Sequence, residues 1–328
     1  MTNIDFKMYK LMLLSTTAKK DRELVILPSR NINGFQSLNI LVTNVEDATK
    51  LLRKADGIVE NILVDVERKQ EIDLWKVARE TLRFSKLIPY KPNDITLEAA
   101  DQLLLHHFTQ SLCGRNVLIY GTGNIATKLA IRLAERNANV FIIGRNKEKV
   151  EMIVKTINSI LPTYSQHPVR LFNGTEKLDA FLSFVSAERV VQEEIAEYLN
   201  SNGIAVDGGI SNFTENLISS LIKKGIRTLR LDVRLGLPFL EASIASREQT
   251  FFSKVMGEGL IKGIPVVAGG IMGKSGVVIV DRIQTPSQVI GIANGIGGVK
   301  HESTLTDIDK RAIEAVQEYL LQSEQENF

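Results

Sequence analysis

Three short stretches place reactive side chains directly behind apolar runs. Asp65 ends the run from Asn61, Lys91 follows Lys86-Leu-Ile-Pro-Tyr90, and Ser29, Arg30 and Asn31 follow Leu27-Pro28. A lysine held by a carboxylate can give or take a proton at a reacting carbonyl, hydroxyl or imine, which makes Lys91 with Asp65 a candidate acid–base pair. The guanidinium fork of Arg30, with Ser29 and Asn31 beside it, suits the carboxylate of a small substrate. Each residue also has a plain structural reading. Lys91 stands between Pro89 and Pro92 as a loop residue would, Asp65 can cap a turn, and Arg30 can be a surface cation.

A fourth stretch is more specific. Asn116-Val-Leu-Ile-Tyr120 is a strand pattern, and Gly121, Thr122, Gly123, Asn124, Ile125 and Ala126 lead from it into a helical pattern. The spacing is G-x-G-x-x-A. Gly121 permits a tight turn, Gly123 lets the backbone approach a pyrophosphate, and Ala126 lets the helix pack close to the strand. The helix start then offers free N–H groups and the positive end of a dipole to the phosphates. A dinucleotide site is expected. An S-adenosylmethionine site would want a third glycine and an acid before the first, and Ile119-Tyr120 supplies neither.

The next strand end selects the cofactor. An NAD site places an acid there for the ribose 2′-hydroxyl. Here the chain reads Gly144-Arg145-Asn146-Lys147-Glu148-Lys149, with no carboxylate at the tip. Arg145 can pair with a 2′-phosphate and stack on adenine, with Asn146 and Lys149 alongside, so NADP is expected and NAD is the lesser alternative. Two later strand ends carry small residues that leave room for a nicotinamide: Val185, Ser186 and Ala187, then Gly208 and Gly209. Asp207, just before them, fits a loop cap and a functional role equally.

These residues need elements to position them. Strands are expected at Glu23–Leu27, Leu38–Val42, Asn61–Asp65 and Lys86–Ile88, with helices over Glu46–Ala55 and Glu71–Arg83. Asp94 or Thr96 can cap a long helix through Leu112 that links two domains. From Asn116 the alternation continues: strands Val117–Tyr120, Val140–Ile143, Val169–Phe172, Phe181–Val185, Ile204–Asp207 and Thr228–Leu231. The helices between them are Asn124–Arg136, Lys147–Ile160, Val191–Leu199 and Glu215–Lys223. That is a doubly wound Rossmann pattern. Arg230, Asp232 and Arg234 alternate as if on one strand face, which fits an edge, a subunit interface or a substrate-facing wall. Residues 257–298 hold eleven glycines and one strand pattern, Val277–Asp281, and suggest tight loops near a ligand or interface. Thr306 and Asp309 approximate a capping box for a last helix whose face carries Ile308, Ala312, Val316 and Leu320, before a frayed tail from Gln322.

The chain has 328 residues, 40 basic and 38 acidic, a net charge of +2. Length suits two domains. With no basic block, neither nucleic acid nor a membrane surface is an expected partner. Cys113 is expected as a packed thiol, and none of His106, His107, His167 and His301 sits in a metal-ligand spacing, so no metal is expected. The first residues lack the pattern of a secretory leader, and the apolar stretch from Gly263 to Val280 is broken by Pro265 and Lys274, so a cytoplasmic location is expected.

The chain resembles the amino-acid-dehydrogenase-like superfamily, of the methylene-tetrahydrofolate dehydrogenase and shikimate dehydrogenase type. Ala55–Asp65 resembles the folate enzyme's strand ending in a functional glutamine, here Asp65. Residues 88–95 resemble its Pro-Cys-Thr-Pro segment, Ile204–Ile210 its Ile-Asp-Val-Gly-Ile strand, and Ile296–Val299 its Pro-Gly-Gly-Val loop. Residues 144–149 resemble the NADP clamp of shikimate dehydrogenase. The folate enzyme's Tyr-x-x-x-Lys and the shikimate enzyme's Asn-Val-Thr-x-Pro-x-Lys are both absent. The resemblance implies a small α/β substrate domain (1–113, with the linking helix), a Rossmann domain (114–300) and a returning C-terminal helix (301–328). It implies an NADP-dependent oxidoreductase, acting between the domains on a small polar metabolite such as a cyclic acid, imine or pterin, and a homodimer. The alternative is a non-catalytic sensor or scaffold that binds the dinucleotide.

Overall fold

The computed structural model describes residues 4–17, 24–109, 111–247 and 251–325. The chain divides into two compact units, Met1–Glu241 and Ala242–Phe328. The division falls at 241/242; the domain bounds that the resemblance implies are 113/114 and 300/301. The first unit holds two sheets.

The first sheet contains β1 (Leu11–Ser15), β2 (Val25–Ile32), β3 (Phe35–Leu41), β4 (Asn61–Asp65) and β5 (Lys86–Tyr90), in the order β2-β3-β1-β4-β5. β3, β1, β4 and β5 run parallel, and β2 is antiparallel at the edge. The central strand β1, buried along its whole length, is not among the expected strands. Helices α1 (Val45–Ala55) and α2 (Leu74–Thr81) cover the sheet. Met12, Leu14, Ile62 and Val64 pack against Ala48, Leu51 and Leu52 of α1 and Val77 of α2. Cutting one such large side chain to alanine typically costs about 2–5 kcal/mol. α1 starts where Asn44 accepts from Asp47 N at 2.8 Å, and α2 where Asp73 accepts from Lys76 N at 3.0 Å.

β2 is longer than its sequence suggests. Glu23, its expected start, lies outside the described residues. Ser29, Arg30 and Asn31 lie within the strand rather than after it, past a bulge between Leu27 and Arg30. Pro28 is tolerated because the strand is an edge and the ladder is already broken there. Asn33 and Gly34, at φ 50° and 79°, turn the chain back into β3, the backbone a two-residue hairpin prefers.

Helix α3 (Pro92–His107) links the sheets. It begins at Pro92, with Lys91 as its uncapped N-cap residue, and ends before Leu112. Neither Asp94 nor Thr96 is the cap. Proline fits because the first N–H of a helix has no partner in any case. Asp94 instead pairs with Lys128 at 2.5 Å, Glu98 with Arg132 at 2.6 Å, and Asp101 with Arg136 at 2.7 Å. Two of these bases lie in the next helix and Arg136 is the residue that ends it, so the ladder fixes where α3 lies against it.

The second sheet contains β6 (Asn116–Tyr120), β7 (Asn139–Ile143), β8 (Arg170–Leu171), β9 (Leu178–Ser183), β10 (Leu199–Asp207) and β11 (Arg227–Arg230), with α4 (Asn124–Glu135), α5 (Lys147–Ile160), α6 (Ile195–Tyr198) and α7 (Glu215–Lys223) between them. All neighbours are parallel, in the order β11-β10-β9-β6-β7-β8. From β6 the chain winds outward through β7 and β8, then restarts on β6's other side with β9. That reversal is the doubly wound Rossmann arrangement, which opens a crevice beyond the carboxyl ends of β6 and β9. The helix expected over Val191–Leu199 shrinks to Ile195–Tyr198.

α8 (Leu237–Ala245) leads into the second unit, where β12 (Gly257–Ile261), β13 (Ile264–Ala268), β14 (Val278–Val280) and β15 (Val289–Ile292) form a sheet in that order, packed on α9 (Asp307–Gln325). The glycine-rich segment is therefore a small sheet, not part of the Rossmann sheet. Its glycines serve turns, as at Lys262-Gly263 (φ 47° and 78°) and Gly269-Gly270 (φ 65° and 86°). Thr306 and Asp309 do form a reciprocal capping box. Val316 and Leu320 are buried, whereas Ile308 is exposed. The helix runs on to Gln325, past the expected fraying point, and residues 326–328 lie outside the described part. Cys113 is exposed rather than packed. Among the described residues no helix is long and apolar enough to cross a membrane, and no cluster of His, Cys, Asp or Glu could hold a metal.

Candidate active site

The strand ends of the second sheet stand in a row. Tyr120 pairs with Ile143 on one side and Ser183 on the other, Ser183 with Asp207, and Asp207 with Arg230. Each dinucleotide residue read from the sequence follows one of these ends.

Gly121 sits at φ +144°, and a Cβ there would lie 2.8 Å from the Phe184 carbonyl oxygen and 3.4 Å from Ala126 Cβ. It is glycine because the turn, β9 and the helix converge on it. Gly123 is different. Its backbone is extended, and a Cβ would meet nothing within 4 Å. It is the N-cap of α4, and no side chain caps that helix. No side chain caps the first N–H groups of this 12-residue helix, and the space beside Gly123 is open, an arrangement that suits a pyrophosphate. Arg145 and Lys149 are exposed at the start of α5, whose cap is Asn146, accepting from Lys149 N at 2.9 Å.

The loops after β9 and β10 are locked together. Fully buried Asn212 accepts from Ser183 Oγ at 2.8 Å and donates to the carbonyls of Val185 and Ala187 at 3.0 and 2.8 Å. Asp207 accepts from Gly209 N and Asn212 N at 3.1 and 2.9 Å, so its carboxylate is a loop cap. A Cβ on Gly208 would enter the Phe184 ring, and one on Gly209 would strike Asn212.

A cleft of about 700 Å³ joins the two sheets of the first unit. Its first wall holds Ser15, Thr16, Ser29, Arg30, Lys69 and Tyr90; its second holds Ile125, Gly208, Gly209, Ile210 and Arg230 to Arg234. Arg230, Asp232 and Arg234 do not share a strand, because β11 ends at Arg230 and Asp232 caps a short 3-10 turn. Of the three readings open to them, the wall of a cleft is where they lie.

The structure does not bring Lys91 and Asp65 together, and each has another partner. Lys91 does not line the cleft. It is half exposed and pairs with Asp94 at 2.5 Å, and the hydrogen bond it donates to Asp94 raises its pKa rather than lowering it. Asp65 is buried and accepts from Lys69 Nζ at 2.8 Å, from Glu67 N at 2.8 Å and from Thr16 N at 3.3 Å. Lys69, 3.2 Å from Glu67 as well, is the lysine that reaches the cleft. The two carboxylates hold the ammonium in place, one by a hydrogen bond and one by an ion pair. The sequence signal is a lysine four residues beyond a strand-ending aspartate.

Arg30 is partly buried, and desolvation lowers its pKa, although a guanidinium stays charged. Asp232 acts on it across the cleft but is itself taken by Arg234 at 2.5 Å. Burial pushes the Tyr90 phenol up from its ordinary value, so it is a neutral donor, hydrogen-bonded to the Ser15 side chain. Thr16 is 6% exposed, and its Oγ1 has no hydrogen-bond partner among the described residues. Ser29 donates to Ser37 O at 2.9 Å, and Asn31 is exposed and does not line the cleft.

No family model matches the chain. Among solved structures it is similar to shikimate dehydrogenase in complex with NADP+ (16% identity, 72% of this chain and 88% of the other, TM-score 0.43). It is also similar to L-tryptophan dehydrogenase from Nostoc punctiforme (15%, 74% and 77%, 0.42) and to a dipicolinate synthase chain from Bacillus halodurans (14%, 74% and 81%, 0.37). Likeness this distant decides nothing about the chemistry, which rests on the cleft itself.

Proposed function

We propose that the chain is an NADP-dependent oxidoreductase acting on a small carboxylate-bearing metabolite in this cleft. The observation that carries it is the uncapped start of α4 behind Gly123, opening beside a cleft that contains a carboxylate-held lysine. Gly121 to Ala126 would hold the pyrophosphate, Arg145 and Lys149 the 2′-phosphate, and Val185 to Ala187 with Gly208 and Gly209 would flank the ring. When bound, the nicotinamide supplies or accepts the hydride. Arg30 binds the substrate carboxylate, with Thr16 Oγ1 and the Tyr90 hydroxyl as further donors. Lys69 gives or takes the proton at the reacting oxygen or nitrogen, and Asp65 and Glu67 hold it in place. NADPH titration by fluorescence comes first, then an oxidation screen with cyclic acids, keto acids, imines and folates. Turnover with an acid-bearing class is expected. Failure to bind NADPH sinks the proposal, and binding without turnover on any class favours the sensor.

A further inference from the structure

Ile210 and Ser211 are consecutive non-glycine residues in the left-handed region, at φ 66° and 62°. A branched side chain is strongly disfavoured there. Nothing at this turn lets it relax. Asp207 accepts from the N–H groups on either side of the pair, Gly209 and Asn212. Arg189 N donates to Ser211 O at 2.7 Å, and Val190 N to Asn212 O at 2.9 Å. Asn212 is in turn bound to both sides of the loop after β9. The turn is over-determined by its surroundings, the condition under which backbone strain persists and marks a site.

The strain gains the fold no core. Ile210 is 40% exposed, and it lines the cleft immediately after the glycine pair that ends β10. An apolar branched side chain is thus held rigidly at the end of the second sheet where the row of strand ends opens. We propose that Ile210 is the apolar wall against which the nicotinamide ring lies, set there by a turn strained to present it. This rests on the dinucleotide reading above and adds the residue that fixes the ring end of the cofactor.

The test separates the two halves of the ligand. NADPH carries the ring, and 2′-phospho-ADP-ribose lacks it while keeping adenine, pyrophosphate and 2′-phosphate. Ile210→Gly removes the side chain and the strain together, and Ile210→Ala removes most of the side chain and keeps the strain. Both variants should bind NADPH about five- to tenfold more weakly, the worth of one lost apolar contact, with 2′-phospho-ADP-ribose bound as by the parent. Ile210→Gly alone should melt roughly 2–4 °C higher. NADPH affinity unchanged in both variants, or an equal loss for both ligands, overturns the proposal. A parent protein that binds neither ligand refutes the dinucleotide reading instead.

Discussion

Gly121 and Gly123 are two residues apart in one turn, and their substitution should give opposite phenotypes. At Gly121 an added Cβ faces both an unfavourable φ of +144° and the Phe184 carbonyl oxygen at 2.8 Å. Strain of this kind costs about 1–3 kcal/mol, and overpacking against rigid backbone adds roughly 1–3 kcal/mol. At about 2–4 °C per kcal/mol for a unit of this size, Gly121→Ala should lower Tm by roughly 4–24 °C. At Gly123 the backbone is already extended and the space is empty. Exchanging glycine for valine as the N-cap loses about 0.5–1 kcal/mol, so Gly123→Val should melt within about 4 °C of the parent. Its branched side chain, however, stands before the free N–H groups of α4, and NADPH affinity should drop at least ~100-fold, equivalent to about 2.7 kcal/mol. Circular dichroism melts and fluorescence titration read the two quantities separately. Equal stability loss in both variants would refute the structural half of this reasoning, and parental NADPH affinity in folded Gly123→Val would refute the other half.

Arg145→Ala should reduce the preference for NADPH over NADH, measured by paired titrations; a parent that binds NADH at least as tightly contradicts the basic tip as a 2′-phosphate site. Lys69→Met should lower turnover on the order of 10²–10⁴-fold with NADPH affinity kept, while Lys91→Met should turn over near the parental rate; the reverse ranking restores Lys91 as the proton donor. In the second unit, the hydrogen bond from Lys300 and the N–H of Thr306 hold Asp309 at about 2, below its ordinary 3.8. The stabilisation from a depressed carboxylate is complete above its unfolded value and disappears as pH falls through the folded one. Lys300→Met should therefore be less stable than the parent in thermal melts at pH 5, with the gap closing toward pH 2; a gap independent of pH contradicts it.

The Rossmann half is readable because its signals are local. The strand–helix alternation, the G-x-G-x-x-A turn and the limits of α5 and α7 follow from pattern and capping alone, while the strand expected at Phe181–Val185 begins and ends earlier, at Leu178–Ser183. The first sheet is harder because its key features are tertiary. Leu11 to Ser15 is a short apolar run with no polar alternation, the mark of a strand buried on both faces, and alternation alone does not find it. Pro28 looks like a strand end until the edge position and bulge account for it, and the Asn33-Gly34 pair is the local hint of the hairpin. Lys91 stands out because it follows a strand, but a flexible side chain goes to the nearest carboxylate, and Asp94 lies one helical turn on. Lys69 is inconspicuous because it lies in a loop, and only folding brings it back over Asp65. The glycines of 257–298 mislead because glycine density marks turns as readily as ligand loops.

Phe184 presents its carbonyl to Gly121 and its ring to Gly208, so one residue sets the allowed size at two distant positions in the sequence. As the chain diverges over generations, those positions are not free to drift alone. Gly208→Ala can become neutral once Phe184 has been exchanged for a shorter side chain, because the obstruction is a ring. Position 121 has no such route, since the obstruction there is main chain that every amino acid carries. Descendants of this chain should therefore show paired change at 184 and 208, and glycine alone at 121.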